Sequence, residues 1–90
     1  MTAQDPPKIE FPCEDYPIKV MGDANTEMHD FVLATTEIFA PGFDRTKVSV
    51  KKSGKGRFQS LTLYITATGV DQLQAYHSAL VANPAIKMVL

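Results

Sequence analysis

FQSLTLYITATGVDQL, Phe58 to Leu73, is the stretch whose reading decides the fold. Over its first ten residues Leu61, Leu63, Ile65 and Ala67 fall on one side of an extended chain, and Ser60, Thr62, Tyr64 and Thr66 on the other. A period of two belongs to a strand with one face buried and one free. The alternation stops at Thr68-Gly69, where the spacing becomes helical and sets Val70, Leu73, Tyr76 or His77, and Leu80 on one side. Thr68-Gly69-Val70-Asp71 matches a capping box, the hydroxyl accepting from an orphan amide and the aspartate reaching back.

Upstream lies SGKGR, Ser53 to Arg57, preceded by Lys47–Lys52, in which Val48 and Val50 alternate with Lys47, Ser49 and Lys51. Two glycines among bases resemble a phosphate cradle. A P-loop, however, needs four residues between its glycines and a Lys-Ser/Thr pair opening a helix. Here a single residue separates them and a strand follows, so the glycines are those of a hairpin turn. Further upstream, Tyr16–Gly22 reads as a strand with Ile18 and Val20 on one side. Gly22-Asp23-Ala24-Asn25 is a turn, with Asn25 placed to cap a helix over Thr26–Phe39. That helix carries its stripe at Met28, Phe31, Val32, Thr35, Ile38 and Phe39, has Glu27 and Asp30 near its positive end, and is stopped by Pro41-Gly42. At the other end, Asn83-Pro84 closes the second helix, and Ala85–Leu90 is a short last strand.

The order is β-α-β-β-α-β. Right-handed crossovers then require a four-stranded antiparallel sheet, spatial order 4-1-3-2, with both helices on one face. This is an α+β ferredoxin-like plait with one bare sheet face. The single domain spans 16–90, and 1–15, acidic and proline-bearing, reads as a flexible arm whose Ile9 and Phe11 pack onto it. Ninety residues bury only about 60–65% of the unfolded surface, so a homodimer is expected. It would pair exposed strand edges or stack bare faces through Met21, Tyr64 and Val89. No apolar run nears the ~18 residues of a membrane span, the N-terminus lacks a signal pattern, and one cysteine precludes an internal disulfide. These features point to the cytoplasm.

Net charge is −1, but Met1–Asp44 holds nine acids and two lysines (−7), whereas Arg45–Leu90 holds seven bases and one acid (+6). Arg45, Lys47, Lys51, Lys52, Lys55 and Arg57 form an acid-free run, a candidate surface for RNA or an acidic partner. Lys55-Gly56-Arg57-Phe58 begins like the third-strand signature of RNA-recognition domains, but Ser60 and Thr62 stand where further rings should stack, which disfavours nucleic acid. Cys13 sits beside Glu14 and Asp15, which oppose a thiolate. His29 and His77 lie on different helices without a partner ligand. No catalytic arrangement, metal set or cofactor motif is present in the sequence. The candidate ligand site is Gly22, Asp23 and Asn25, where a strand end meets a helix N-terminus.

FPCEDYPIKVMGDA, SGKGRF, ITATGVDQL and the terminal KMVL together resemble the YbeD-like family of small uncharacterised bacterial proteins. The resemblance spans Ile9 to Leu90 and implies a ferredoxin-like fold similar to ACT regulatory domains. It also implies a link to lipoate metabolism through gene neighbourhood. ACT domains pair and hold amino acids near the first strand–helix turn, here Gly22, Asp23 and Asn25. This chain lacks the Pro-Gly that ACT domains carry there and has Asp23-Ala24-Asn25-Thr26 instead. The resulting expectation is a non-catalytic ACT-like module sensing a small effector or docking a protein, the alternative being RNA or acidic-partner binding through residues 45–57.

Overall fold

Leu61, Leu63, Ile65 and Ala67 are buried, as their alternation requires, and they line the centre of a four-stranded sheet. The computed structural model describes residues 11–90; Ile9 and most of the proposed arm lie outside them. The elements are β1 (Cys13–Asp23), α1 (Thr26–Phe39), β2 (Ser49–Lys52), β3 (Phe58–Ala67), α2 (Val70–Val81) and β4 (Ile86–Val89), with a 3₁₀ turn at Arg45–Lys47. The sheet order is β2-β3-β1-β4 and every pairing is antiparallel. This is the expected ferredoxin-like plait, read from the opposite edge. β1 starts three residues before the boundary read from the sequence, entering through an irregularity between Cys13 and Tyr16 where Asp15 has a positive φ of 53°.

Val20 faces Leu61 and Ile18 faces Leu63 across the central pair, and all four sit beneath the helices with Met28, Val32, Tyr76 and Leu80. The stripe of α1 is rotated from the sequence reading: Thr36 is buried, whereas Ile38 is 72% exposed. Positions 28, 32, 35, 36 and 39 share one side of a 3.6-residue helix, and Ile38 falls off it. Thr36 is polar but satisfied, its hydroxyl donating to the Val32 carbonyl at 2.7 Å and meeting the Tyr76 hydroxyl. Tyr76 thus takes the inward place on α2, His77 points to solvent, and Val70 at the first helical position is exposed.

The entry of α2 and the two sheet edges differ from what the sequence pattern predicts. The helix cap of α2 is Gly69, with no side-chain cap bond, so Thr68 and Asp71 do not form the capping box. Gln72 takes over: its Oε1 accepts from the Thr68 amide at 2.8 Å, while its Nε2 donates to the carbonyls of Phe39 (2.8 Å) and Thr66 (3.2 Å). One side chain therefore ties the entry of α2 to an orphan carbonyl at the end of α1. At the sheet edge, Val50 lies opposite Leu61 on the helix side but is 45% exposed, because helix cover runs out before β2. Val89, opposite Val20, also faces the helices; the residue presented on the bare face is Met88, opposite Met21.

Gly22 is buried, and a Cβ there would collide with the Ala85 carbonyl and press on the Met28 methyl. Gly22→Ala is expected to cost about 1–3 kcal/mol, seen as a lower urea midpoint with unchanged slope. Burial raises the Tyr76 phenol above its ordinary value, with the Thr36 hydrogen bond pulling the other way. The stability carried by the protonated phenol is complete below pH ~10 and is lost as pH rises through the higher folded-state value. Tyr76→Phe should remove that alkaline loss and cost about 1 kcal/mol at neutral pH through the lost hydrogen bond, both measurable by urea unfolding at several pH values.

Candidate functional site

The β1–α1 turn is built by backbone bonds before any ligand is considered. The Asp23 amide donates to Ala85 at 2.9 Å, the Ala24 amide to Arg57 at 3.1 Å, and the Asn25 amide to Asp23 at 2.9 Å. Asn25 caps α1 as read from the sequence, its Oδ1 accepting from the Met28 amide at 2.7 Å. Among the described residues, the amides of Thr26 and Glu27 are the ones left open at this helix start. Gly22 is enclosed by packing, and the Asp23 carboxylate lies 3.9 Å from Lys87, toward β4. Of the three candidate ligand residues, Asn25 alone lines the adjoining cleft.

That cleft, about 220 Å³, is lined by Ala24, Asn25, Thr26, His29, Lys52 and Gln59. It joins the turn to the basic hairpin, two regions the sequence presents separately. Gln59, which the sequence reading passed over, anchors the junction. It is buried on the helix side of β3, and its Nε2 lies 3.2 Å from the Asp23 carbonyl, 3.0 Å from that of Asn25 and 3.3 Å from the Met28 sulfur. The signal for it was a long amide at an inward position of an otherwise apolar strand face.

The basic run is divided. Arg45 stacks over the Phe43 ring at 5.4 Å, and Lys47 pairs with Asp15 at 3.4 Å, both in the 3₁₀ turn and far from the hairpin tip. Nearby Asp44 accepts from the Thr46 hydroxyl and amide, which lower its carboxyl below the usual range. Lys51, Lys52, Lys55 and Arg57 remain together at the hairpin, where Gly56 has φ 70° and donates to Ser53 at 2.9 Å. Cys13 is a free thiol at the start of β1. Among the described residues no group of three His, Cys, Asp or Glu converges as a metal site, and no helix is long and apolar enough to cross a membrane.

The bare side of the sheet is partly apolar. Phe58 (40% exposed), Tyr64 and Met88 (48%) rise from it, with Leu90 (69%) beyond β4. Residues 6–90 match the family described as "Protein of unknown function (DUF493)". The chain belongs to this family. It is 53% identical to a UPF0250 protein of Pseudomonas paraeruginosa over 94% of this chain and 91% of that one. Identity to the UPF0250 protein of Ectopseudomonas mendocina is 47%, covering 100% of both chains, and to that of Nitrosomonas europaea 40%, covering 91% of this chain and 93% of the other. The likeness to YbeD-like bacterial proteins read from the sequence is thereby borne out. In three dimensions the chain is similar to the C-terminal domain of the MgtC protein from Mycobacterium tuberculosis, with TM-score 0.64 over 92% of this chain and 89% of that one. At 15% identity that similarity concerns the fold.

Gln59→Leu removes the two side-chain donations to the Asp23 and Asn25 carbonyls, which keep the Asn25 and His29 amides as donors, and should cost about 1 kcal/mol. Asn25→Ala should cost about 1 kcal/mol by uncapping α1. Urea midpoints of the two variants check both values.

Proposed function

We propose that this DUF493 protein is a non-catalytic, ACT-like interaction module that works from the cytoplasm through the bare face of its sheet. The observation that carries this is the set of apolar side chains on the sheet face that no described helix covers, Ile38, Val50, Val70 and Val81 being exposed elsewhere. The helix side already holds a complete core, yet Met21, Phe58, Tyr64, Met88 and Leu90 stand on or beside the other side with no covering element among the described residues. Exposed apolar side chains on an uncovered sheet face of a small chain mark a contact surface. A second copy of the chain is the first partner to test, since a 90-residue chain gains stability by association.

Sedimentation at micromolar concentration should show a homodimer, and Tyr64→Glu or Met88→Glu should dissociate it while leaving the urea midpoint of the monomer nearly unchanged. A wild-type protein that sediments only as monomer overturns the dimer.

A small-effector reading is supported by the cleft in which Asn25, His29, Lys52 and Gln59 meet. It predicts that some compound in an amino-acid and lipoate-pathway screen raises the melting temperature, and that Lys52→Ala removes the shift. A screen without any shift ends that reading. RNA is less well served: Phe58 and Tyr64 are six residues apart on β3, about 20 Å along the strand, too far for successive bases to stack.

A further inference from the structure

The register lays out rows across the bare face. Lys51, Ser60, Met21 and Met88 form one row; Ser49, Thr62 and Lys19 form the next, closed by Leu90, which exchanges backbone bonds with Lys19 at 2.8 and 3.1 Å. Ser60 is the short side chain at the middle of the first row, with Lys51 and Met21 on its two sides and Phe58 beside it along β3. Larger neighbours around a small residue leave a hollow. Its volume is about 280 Å³, and its lining combines Met21, Phe58, Ser60 and Ser53 with Lys19, Lys51 and Lys52 and contains no acid.

Among the described residues the ion pairs are His29–Asp30, Lys47–Asp15 and Lys87–Asp23. The ammonium groups of Lys19 and Lys51, the two lysines on this face, have no partner among the described residues, whereas Lys52 lies opposite Gln59 on the helix side. Two like charges rimming an apolar floor repel one another, and an anion that brings its own apolar group relieves this while covering Phe58 and Met21. A second copy stacked symmetrically over the hollow would set Lys19 and Lys51 against their own counterparts, which is unfavourable. A nucleic-acid strand would find one ring here, Phe58, and no neighbour for the next base. An acidic protein segment meets both requirements.

We propose that the hollow over Ser60 is a docking site for an acidic segment of a partner protein, with one large apolar side chain seated against Phe58 and Met21 and carboxylates on either side of it meeting Lys19 and Lys51. The proposal rests on the reading of the bare face as the contact surface and names the chemistry of the partner there. Lys51 sits beside Ser60 on the edge strand and Lys19 diagonally across it on β1, so the recognised pattern is acid, apolar, acid.

The test is a titration of the full-length ¹⁵N-labelled protein, at low salt, with a synthetic peptide carrying one leucine flanked by glutamates. Three other probes accompany it: the same peptide with serine for leucine, the same with glutamines for glutamates, and a single-stranded oligouridylate. The leucine–glutamate peptide should shift the amide signals of Met21, Lys51, Phe58 and Ser60. Serine for leucine should weaken it about tenfold, glutamines about fivefold, and added salt should weaken it further. Lys51→Glu should lower affinity by about fivefold or more, and Ser60→Leu, which fills the hollow and leaves every charge in place, should abolish the shifts. Equal binding of the serine peptide would show a charge effect without a seat. Tighter binding of the oligouridylate at the same residues would show a nucleic-acid surface. Either result, or an absence of shifts, overturns the docking site. The sedimentation of the Tyr64 and Met88 variants reads the bare face independently, so the site can fail while the face remains a contact surface.

Discussion

The antiparallel pairing of β1 with β3 is the constraint on which the rest of this structure depends. It brings Ile18 and Val20 against Leu63 and Leu61 and presents all four to the helices. Because side chains alternate along a strand, the same register also decides which residues reach the other side. A slip of one residue would turn Leu61, Leu63 and Ile65 toward water and send Ser60 and Thr62 into the core. The core and the proposed contact face are therefore two outcomes of one pairing. The hollow between Lys51 and Met21 exists because the short Ser60 falls outward between the inward-facing Gln59 and Leu61.

Three polar side chains hold the layers in place where apolar contact alone would not specify an orientation. Gln59 ties β3 to the β1–α1 turn, Gln72 ties the start of α2 to the end of α1, and Thr36 meets Tyr76 between the helices. All are satisfied, so their burial carries no unpaired group, and each would be expensive to replace by one apolar partner alone. Their placement bears on function as well. Gln59 holds two carbonyls of the β1–α1 turn, while Ala85, Arg57, Asp23 and the Asn25 side chain accept from the amides of Asp23, Ala24, Asn25 and Met28, leaving those of Thr26 and Glu27 open; the bare face carries side chains with no partner among the described residues.

The opposed charges of the two halves of the chain become a feature of the surface. Glu27, Asp30 and Glu37 are exposed on α1, on the helix layer, while Lys19 and Lys51 belong to the opposite side of the sheet and Lys55 and Arg57 to the hairpin. The fold also removes part of the apparent basic cluster, since Lys47 is neutralised by Asp15, a residue 32 positions earlier. A nearly neutral chain can in this way gather bases on one part of its surface, where Asp23, opposite Phe58, lies toward Lys87.

The sequence by itself determined the order of elements, the strand order and the inward faces of β1 and β3, because period-two alternation in β3 and a capping asparagine before α1 are local consequences of backbone geometry. The Asn25 cap and the turn at Gly56 needed no tertiary information for the same reason. Only the tertiary structure decided that Thr36 and not Ile38 faces inward, that Gln72 replaces the Thr68 and Asp71 box, that Met88 and not Val89 joins the bare face, and that Val50 is left uncovered. Each of these depends on what a distant element supplies: the Tyr76 hydroxyl, the Phe39 carbonyl, the offset with which β4 meets β1, and the reach of the helix layer. Gln59 and the lysine-rimmed hollow belong to the same class, because residues 19, 21, 51 and 60 become neighbours only when three strands are laid side by side.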